Sequence, residues 1–283
     1  MATKKSTASA KKKSSAASST KTTRVTTVKA VESGNPRPAA ALLKSSRGSL
    51  LRTPILGASV AEFIGAFLLA VTILIVRNEP FYLFLGFVGI FMLIGGLSGA
   101  HINPAITIAS WVSRRITWVR AVSYIAAQFL GAMLAVVAMN TFVGQAPDIT
   151  AEAAQFGQTP PQLFTAAALP DGKQWSVFAA ELIGVAVLGF AYAGVLRSRV
   201  VEKVTGAFTI GGAAFLATAF ASTAAGYVGT HVALNPAVSI TLNAVDIQNV
   251  WTILVYFLAP VLGAVIGFFL SDLLQTTEVE VEK

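Results

Sequence analysis

An all-α membrane protein is what this sequence predicts, with six spanning helices and two re-entrant half-helices arranged as two inverted repeats. Three observations carry that expectation. Apolar residues make up 54% of the 283 residues and charged residues 12%, too few charges to cover an ordinary soluble protein of this size. Long apolar stretches recur from Ile55 to Leu270, most of them reaching the roughly twenty residues that a bilayer crossing needs. One tripeptide also occurs twice in this lipid-compatible sequence, Asn103-Pro104-Ala105 and Asn235-Pro236-Ala237, each time opening a short apolar run.

Residues 1 to about 50 are rich in Lys, Ala, Ser and Thr, with Lys11, Lys12 and Lys13 in a row. Such a segment buries too little apolar surface to offset the entropy of ordering it, so a disordered cytoplasmic tail is expected. It lacks the apolar centre of a secretory signal. Of the 21 basic residues, 12 precede Pro54, so the net charge of +8 belongs to the tail and the body is nearly neutral. Anionic lipid headgroups are a candidate partner for it, at about 1 kcal/mol per basic residue near the surface. Nucleic acid is not expected. The membrane body is expected over residues 51–275, with repeat one at about 55–142 and repeat two at about 175–271, and a short acidic tail over 276–283.

The spans are read at Ile55–Val76, Phe81–Leu97, Ala121–Phe142, Trp175–Leu196, Val204–Tyr227 and Val250–Leu270. The second is the shortest, but it runs directly into the first tripeptide. Asparagine caps helices well and proline fits the first helical position, so each tripeptide starts a helix. These helices are expected at Asn103 to about Val112 and Asn235 to about Val245. Roughly ten residues cover about 15 Å, half of a hydrocarbon core of about 30 Å, so the two can meet tip to tip at the midplane. Two positive helix ends and two asparagine amides then face one spot. Arg114, Arg115, Arg120, Arg197, Arg199 and Lys203 lie in the connections after the second and fourth spans, which makes that side cytoplasmic and places both termini there.

Internal similarity divides the body. Glu62-Phe63-Ile64-Gly65 in span one is echoed by Glu181-Leu182-Ile183-Gly184 in span four. Gln128-Phe129-Leu130-Gly131-Ala132 recurs as Pro260-Val261-Leu262-Gly263-Ala264 at the offset that separates the tripeptides. Three spans per half reverse the direction of membrane crossing, so the halves form an inverted repeat with its site at the midplane. The polar, proline-bearing linker from about Gly144 to Gln174 reads as an outside loop. Glu62 and Glu181 are carboxylates inside apolar spans and need partners there. The chain has no cysteine and only two histidines, His101 and His231, in different loops, so neither a metal site nor a cofactor is expected. No nucleophile with a base and no phosphate-cradling glycine loop is found, which argues against an enzyme.

Ser98-Gly99-Ala100-His101-Ile102-Asn103-Pro104-Ala105 resembles the first signature of the major intrinsic proteins, the aquaporin and glycerol-facilitator family, and Asn235-Pro236-Ala237 falls where the second belongs. The resemblance runs from about Ile55 to Leu274. It implies a passive channel for water, with small neutral solutes such as glycerol, urea, ammonia or hydrogen peroxide as alternative or additional cargo, in a cell membrane and assembled as a homotetramer. It also implies that Glu62 and Glu181 accept hydrogen bonds from the loops leading into the half-helices, and that His101 supports its loop. The family's arginine after the second tripeptide is replaced by Val238. Counting the family spacing onto this chain puts the other constriction positions near Leu83, near Thr223 and at Val232, with His231 a candidate replacement donor. Ser239 and Tyr256-Phe257 resemble the water-conducting branch. A non-conducting adhesion or scaffold protein, its pore filled by bulky side chains, is the alternative from another class.

Overall fold

The computed structural model describes residues 54–145, 150–197 and 203–281. The tail expected over residues 1–50, with its lipid contact, lies outside them. All regular structure among the described residues is helical. In chain order the elements are α1 (Pro54–Val76), α2 (Pro80–Ser98), α3 (Pro104–Val112), α4 (Trp118–Val143), α5 (Ala151–Gln155), α6 (Gln174–Arg197), α7 (Lys203–Gly226), α8 (Pro236–Thr241), α9 (Val250–Ile253) and α10 (Ala259–Val281), the last two joined by a π-helical turn, Leu254–Leu258. Among the described residues six segments are long and apolar enough to cross a membrane, the sixth running through the π turn from Val250 to Gln275. The protein is a multi-pass membrane protein of the predicted class. Leu93, Leu97, Val137, Phe208, Leu216 and Phe269 are exposed on these helices, an apolar exterior suited to lipid.

Packing repeats between the halves. α1 packs against α4 in the first half and α6 against α10 in the second, while α2 and α7 pack across the halves. The half-helices are exchanged, α3 lying on α10 and α8 on α4. Glycine permits the closest of these contacts at equivalent places. A Cβ on Gly131 would stand 2.2 Å from the Phe63 carbonyl oxygen, and one on Gly263 would stand 2.2 Å from that of Leu182. Only a hydrogen fits there, so the α1–α4 and α6–α10 backbones approach as closely as a side-chain-free position allows.

Three local outcomes differ from the sequence reading. α8 is six residues long and stops at Thr241, short of the expected Val245. Asn243 adopts a left-handed φ of 54° and the Ala244 N–H reaches back to the Ser239 carbonyl, a helix stop that asparagine tolerates. α3 ends the same way at Arg114, three residues later in its helix. Secondly, the π turn precedes Pro260, which has no N–H to donate to the turn before it. The ladder widens there, with the Ala259 N–H bonding the Leu254 carbonyl. Thirdly, the last helix continues to Val281, into the segment expected as an acidic tail.

The two faces are capped differently. Arg115 and Arg197 share the Asp272 carboxylate, and Arg115 also donates to the Ala193 carbonyl at 2.6 Å, tying the ends of α3, α6 and α10. On the opposite face the linker is held by Phe164 N–H to Leu74 carbonyl and Ala166 N–H to Leu242 carbonyl, at 3.2 and 2.8 Å.

Candidate functional site

The segments before the two tripeptides are strained, and each is held by one buried glutamate. Ala100 and Ile102 have φ of 45° and 44°, and Leu234 has 54°. Left-handed backbone is unfavourable for such residues, the β-branched Ile102 above all. Glu62 compensates in the first half: its Oε1 accepts the His101 N–H at 2.9 Å and its Oε2 the Ile102 N–H at 2.6 Å. Glu181 does the same in the second, accepting from the Ala233 and Leu234 N–H groups at 2.6 and 2.9 Å. Both glutamates are fully buried. Glu62 also receives the Gln128 amide at 2.7 Å. Glu181 has no such third donor among the described residues, because Pro260 stands at the repeat-equivalent position.

These clamps place the asparagines. The Asn103 Oδ1 caps its own helix from the Ala105 N–H at 2.9 Å, and the Asn235 Oδ1 caps from the Ala237 N–H at the same distance. Each amide nitrogen then crosses to the other repeat. The Asn103 Nδ2 donates to the Leu234 carbonyl at 2.8 Å and the Asn235 Nδ2 to the Ile102 carbonyl at 2.9 Å. The carbonyls they reach belong to two of the strained residues, Leu234 and Ile102, so each half secures the turn of the other. Pro104, Ala105, Pro236 and Ala237 are buried behind them.

Both asparagines line one central cavity, together with Leu69, Ile73, Asn78, Leu83, Phe87, Leu188, Thr218 and small neighbours. The space open to water centres is about 20 Å³, room for about one molecule. Each asparagine uses one N–H in its crossed bond, which leaves a second to face that space. A larger, polar second cavity of about 330 Å³ lies at the mouth on the linker side, lined by Arg77, Asn78, Glu79, Ser222, Thr223, Thr230 and His231 among others.

The constriction positions counted from the family spacing are placed as follows. Leu83 is in the central cavity and Thr223 at the mouth, while Val232 and Val238 are buried and line neither. The Val232 contribution is its carbonyl, which accepts the Asn78 Nδ2 at 2.7 Å. His231 also lines the mouth cavity. Its Nδ1 accepts the Ala167 N–H at 3.0 Å and its ring meets Phe164 edge-on, which assigns its proton to Nε2. Partial burial lowers its pKa below the usual histidine value, so it is neutral at neutral pH. His101 is packed between Tyr124 and Tyr192, with the Thr107 and Ser110 hydroxyls 3.3 and 3.5 Å from its ring nitrogens, and lines neither cavity. Tyr256 and Phe257 lie in the π turn, where Tyr256 donates to the His231 carbonyl at 3.3 Å and Phe257 stacks on Phe129. Asn78, which lines both cavities, is a polar residue that the sequence reading missed. Its signal in the sequence is an asparagine after an arginine, between an apolar span and Glu79-Pro80.

Residues 49–271 match the family model described as major intrinsic protein. The chain is 29% identical to nodulin-26 of Glycine max over 246 residues, 81% of this chain and 82% of that protein. It is 30% identical to aquaporin NIP2-3 of Zea mays over 186 residues, covering 65% of this chain and 54% of that one. The solved aquaglyceroporin of Plasmodium falciparum superposes with a TM-score of 0.56 at 20% identity, over 80% of this chain and 99% of that one, a likeness of fold.

Proposed function

This chain belongs to the major intrinsic protein family, a family of passive channels, and on that premise we propose that its pore conducts water together with small neutral solutes. The observation that carries the reading is the crossed pair of asparagines beside a space for about one water. A water oxygen there accepts from the free amide N–H groups and turns its hydrogens away, which interrupts a proton wire. The same donors, with the N-terminal N–H groups of α3, disfavour cations. Leu69, Ile73, Leu83, Phe87 and Leu188 make the remaining wall apolar. A solute without net charge crosses such a wall at the least cost, because no lost ionic hydration has to be replaced.

Glu62 and Glu181 serve this reading as supports of the loops, and His101 as packing. By the charge of its connections the arginine-rich face is cytoplasmic, as are both termini. We read the assembly as a homotetramer and residues 1–50 as a tail appended to the channel body.

Val238 stands where the family places an arginine, so in this proposal the pore lacks that fixed charge and admits small neutral solutes more readily. Valine is buried there, and an arginine in its place would add bulk, a fixed charge and several donors. Val238→Arg is expected to lower glycerol and urea permeability more than water permeability. Stopped-flow light scattering on proteoliposomes, under osmotic and then solute gradients, measures both. Equal water-to-solute ratios for the two inserted proteins would contradict the assignment. A native protein that moves neither water nor solute above empty vesicles would contradict the function.

A further inference from the structure

The chain departs from its family at the residue after the second tripeptide, and a polar side chain from another part of the fold is bonded to the loop before that tripeptide. Asn78 belongs to the three-residue connection between α1 and α2. Arg77 and Asn78 both take left-handed φ, 55° and 59°, and the paired turns carry the Asn78 side chain inward until it is 7% exposed. It is the residue that the central cavity and the mouth cavity share. Its amide nitrogen donates to the Val232 carbonyl, 154 residues away, at 2.7 Å. The second amide N–H and the amide oxygen carry no further hydrogen bond among the described residues and are open to any occupant of the cavities. Ser222, on the mouth side, lines the second cavity as well.

We infer that Asn78 is a specificity-determining residue: its amide forms the polar step between the two cavities, and a neutral solute must exchange hydrogen bonds with it to pass. The inference rests on the reading of the cavities as a conduit. A donor and an acceptor presented together match amides and polyols, which both give and take hydrogen bonds. They also occupy width. On one side of the step the space admits about one water, so the amide limits the size of the solute that can enter it. Asparagine suits the turn as well, since it tolerates left-handed backbone. A purely structural role would end there, and the two roles separate experimentally.

Asn78→Gly keeps the left-handed turn and removes the amide, whereas Asn78→Ser keeps a smaller hydroxyl in its place. The test is stopped-flow permeability to water and glycerol for proteoliposomes holding the native full-length chain or either variant, at equal inserted protein. The expected glycerol-to-water ratio rises in the order Asn, Ser, Gly. Asn78→Gly is expected to exceed native by about threefold, a modest step beside what one methylene achieves in a closed pocket. Should Asn78→Gly fail to fold, the Asn78→Ser ratio decides alone. Conduction with one ratio for all folded forms overturns the inference and leaves the channel reading standing. A native protein without permeability to either removes the channel reading and this inference with it.

Discussion

Glu181→Leu is expected to abolish conduction and to lower the stability of the detergent-solubilised protein. The substitution keeps the bulk of the side chain and removes both acceptors from the Ala233 and Leu234 N–H groups. Those donors have no other partner among the described residues, and each buried donor left unsatisfied costs about 1–3 kcal/mol. Together the loss is on the order of 2–6 kcal/mol, which the strained φ of Leu234 cannot survive unchanged. The Leu234 carbonyl then no longer meets the Asn103 amide, so the defect reaches the first repeat. Glu181→Gln keeps one acceptor oxygen but turns an NH₂ group toward a backbone donor, and an intermediate loss is expected. Thermal unfolding and permeability at equal insertion check both variants. A native-like Glu181→Leu protein would mean that the loops hold themselves.

The second large effect concerns charge at the centre. Asn103→Asp keeps the side-chain shape, yet it exchanges the N–H donors for a second carboxylate oxygen facing the Leu234 carbonyl and the cavity. A cation about 4 Å from a fixed carboxylate gains on the order of 4 kcal/mol at an effective dielectric of about 20. Even a quarter of that gain, about 1 kcal/mol, raises cation occupancy roughly fivefold. Proton or potassium leak, measured by a trapped pH dye or by ion flux across proteoliposomes, is expected to rise at least that much relative to water permeability. An unchanged leak from a folded, water-conducting variant would show that the asparagine amides do not set the charge barrier.

Much of this architecture was legible because it depends on local rules. Proline and asparagine start α3 at the tripeptide, and the repeated Glu-x-x-Gly in α1 and α6 marks the clamp residues in both halves. Gly131 and Gly263 recur at the offset of the tripeptides because the same backbone approach recurs. The rest depended on contacts far apart in sequence or on backbone choices that spacing does not encode. α8 stops early because Asn243 turns left-handed, which an asparagine permits without requiring. Pro260 pointed to a disturbed ladder but not to a π turn. The lining of a cavity depends on which way each side chain points, which spacing along the chain does not give. Val232 enters through its backbone carbonyl, and Asn78 reaches it from a connection 154 positions away.

In the proposed channel solutes pass through the cavity between the two asparagines, and the absence of cysteine from the chain makes that path directly testable. Thr218 lines that cavity and is 4% exposed, and cysteine closely matches its size. In Thr218→Cys a single thiol therefore faces the space that holds about one water. A small mercurial is expected to block its water permeability, and a reducing thiol to restore it. Val60→Cys, on the exposed apolar exterior of α1, is expected to keep native permeability under the same reagent. Undiminished permeability of a fully modified Thr218→Cys protein would contradict the account, because the conducting path would then run elsewhere.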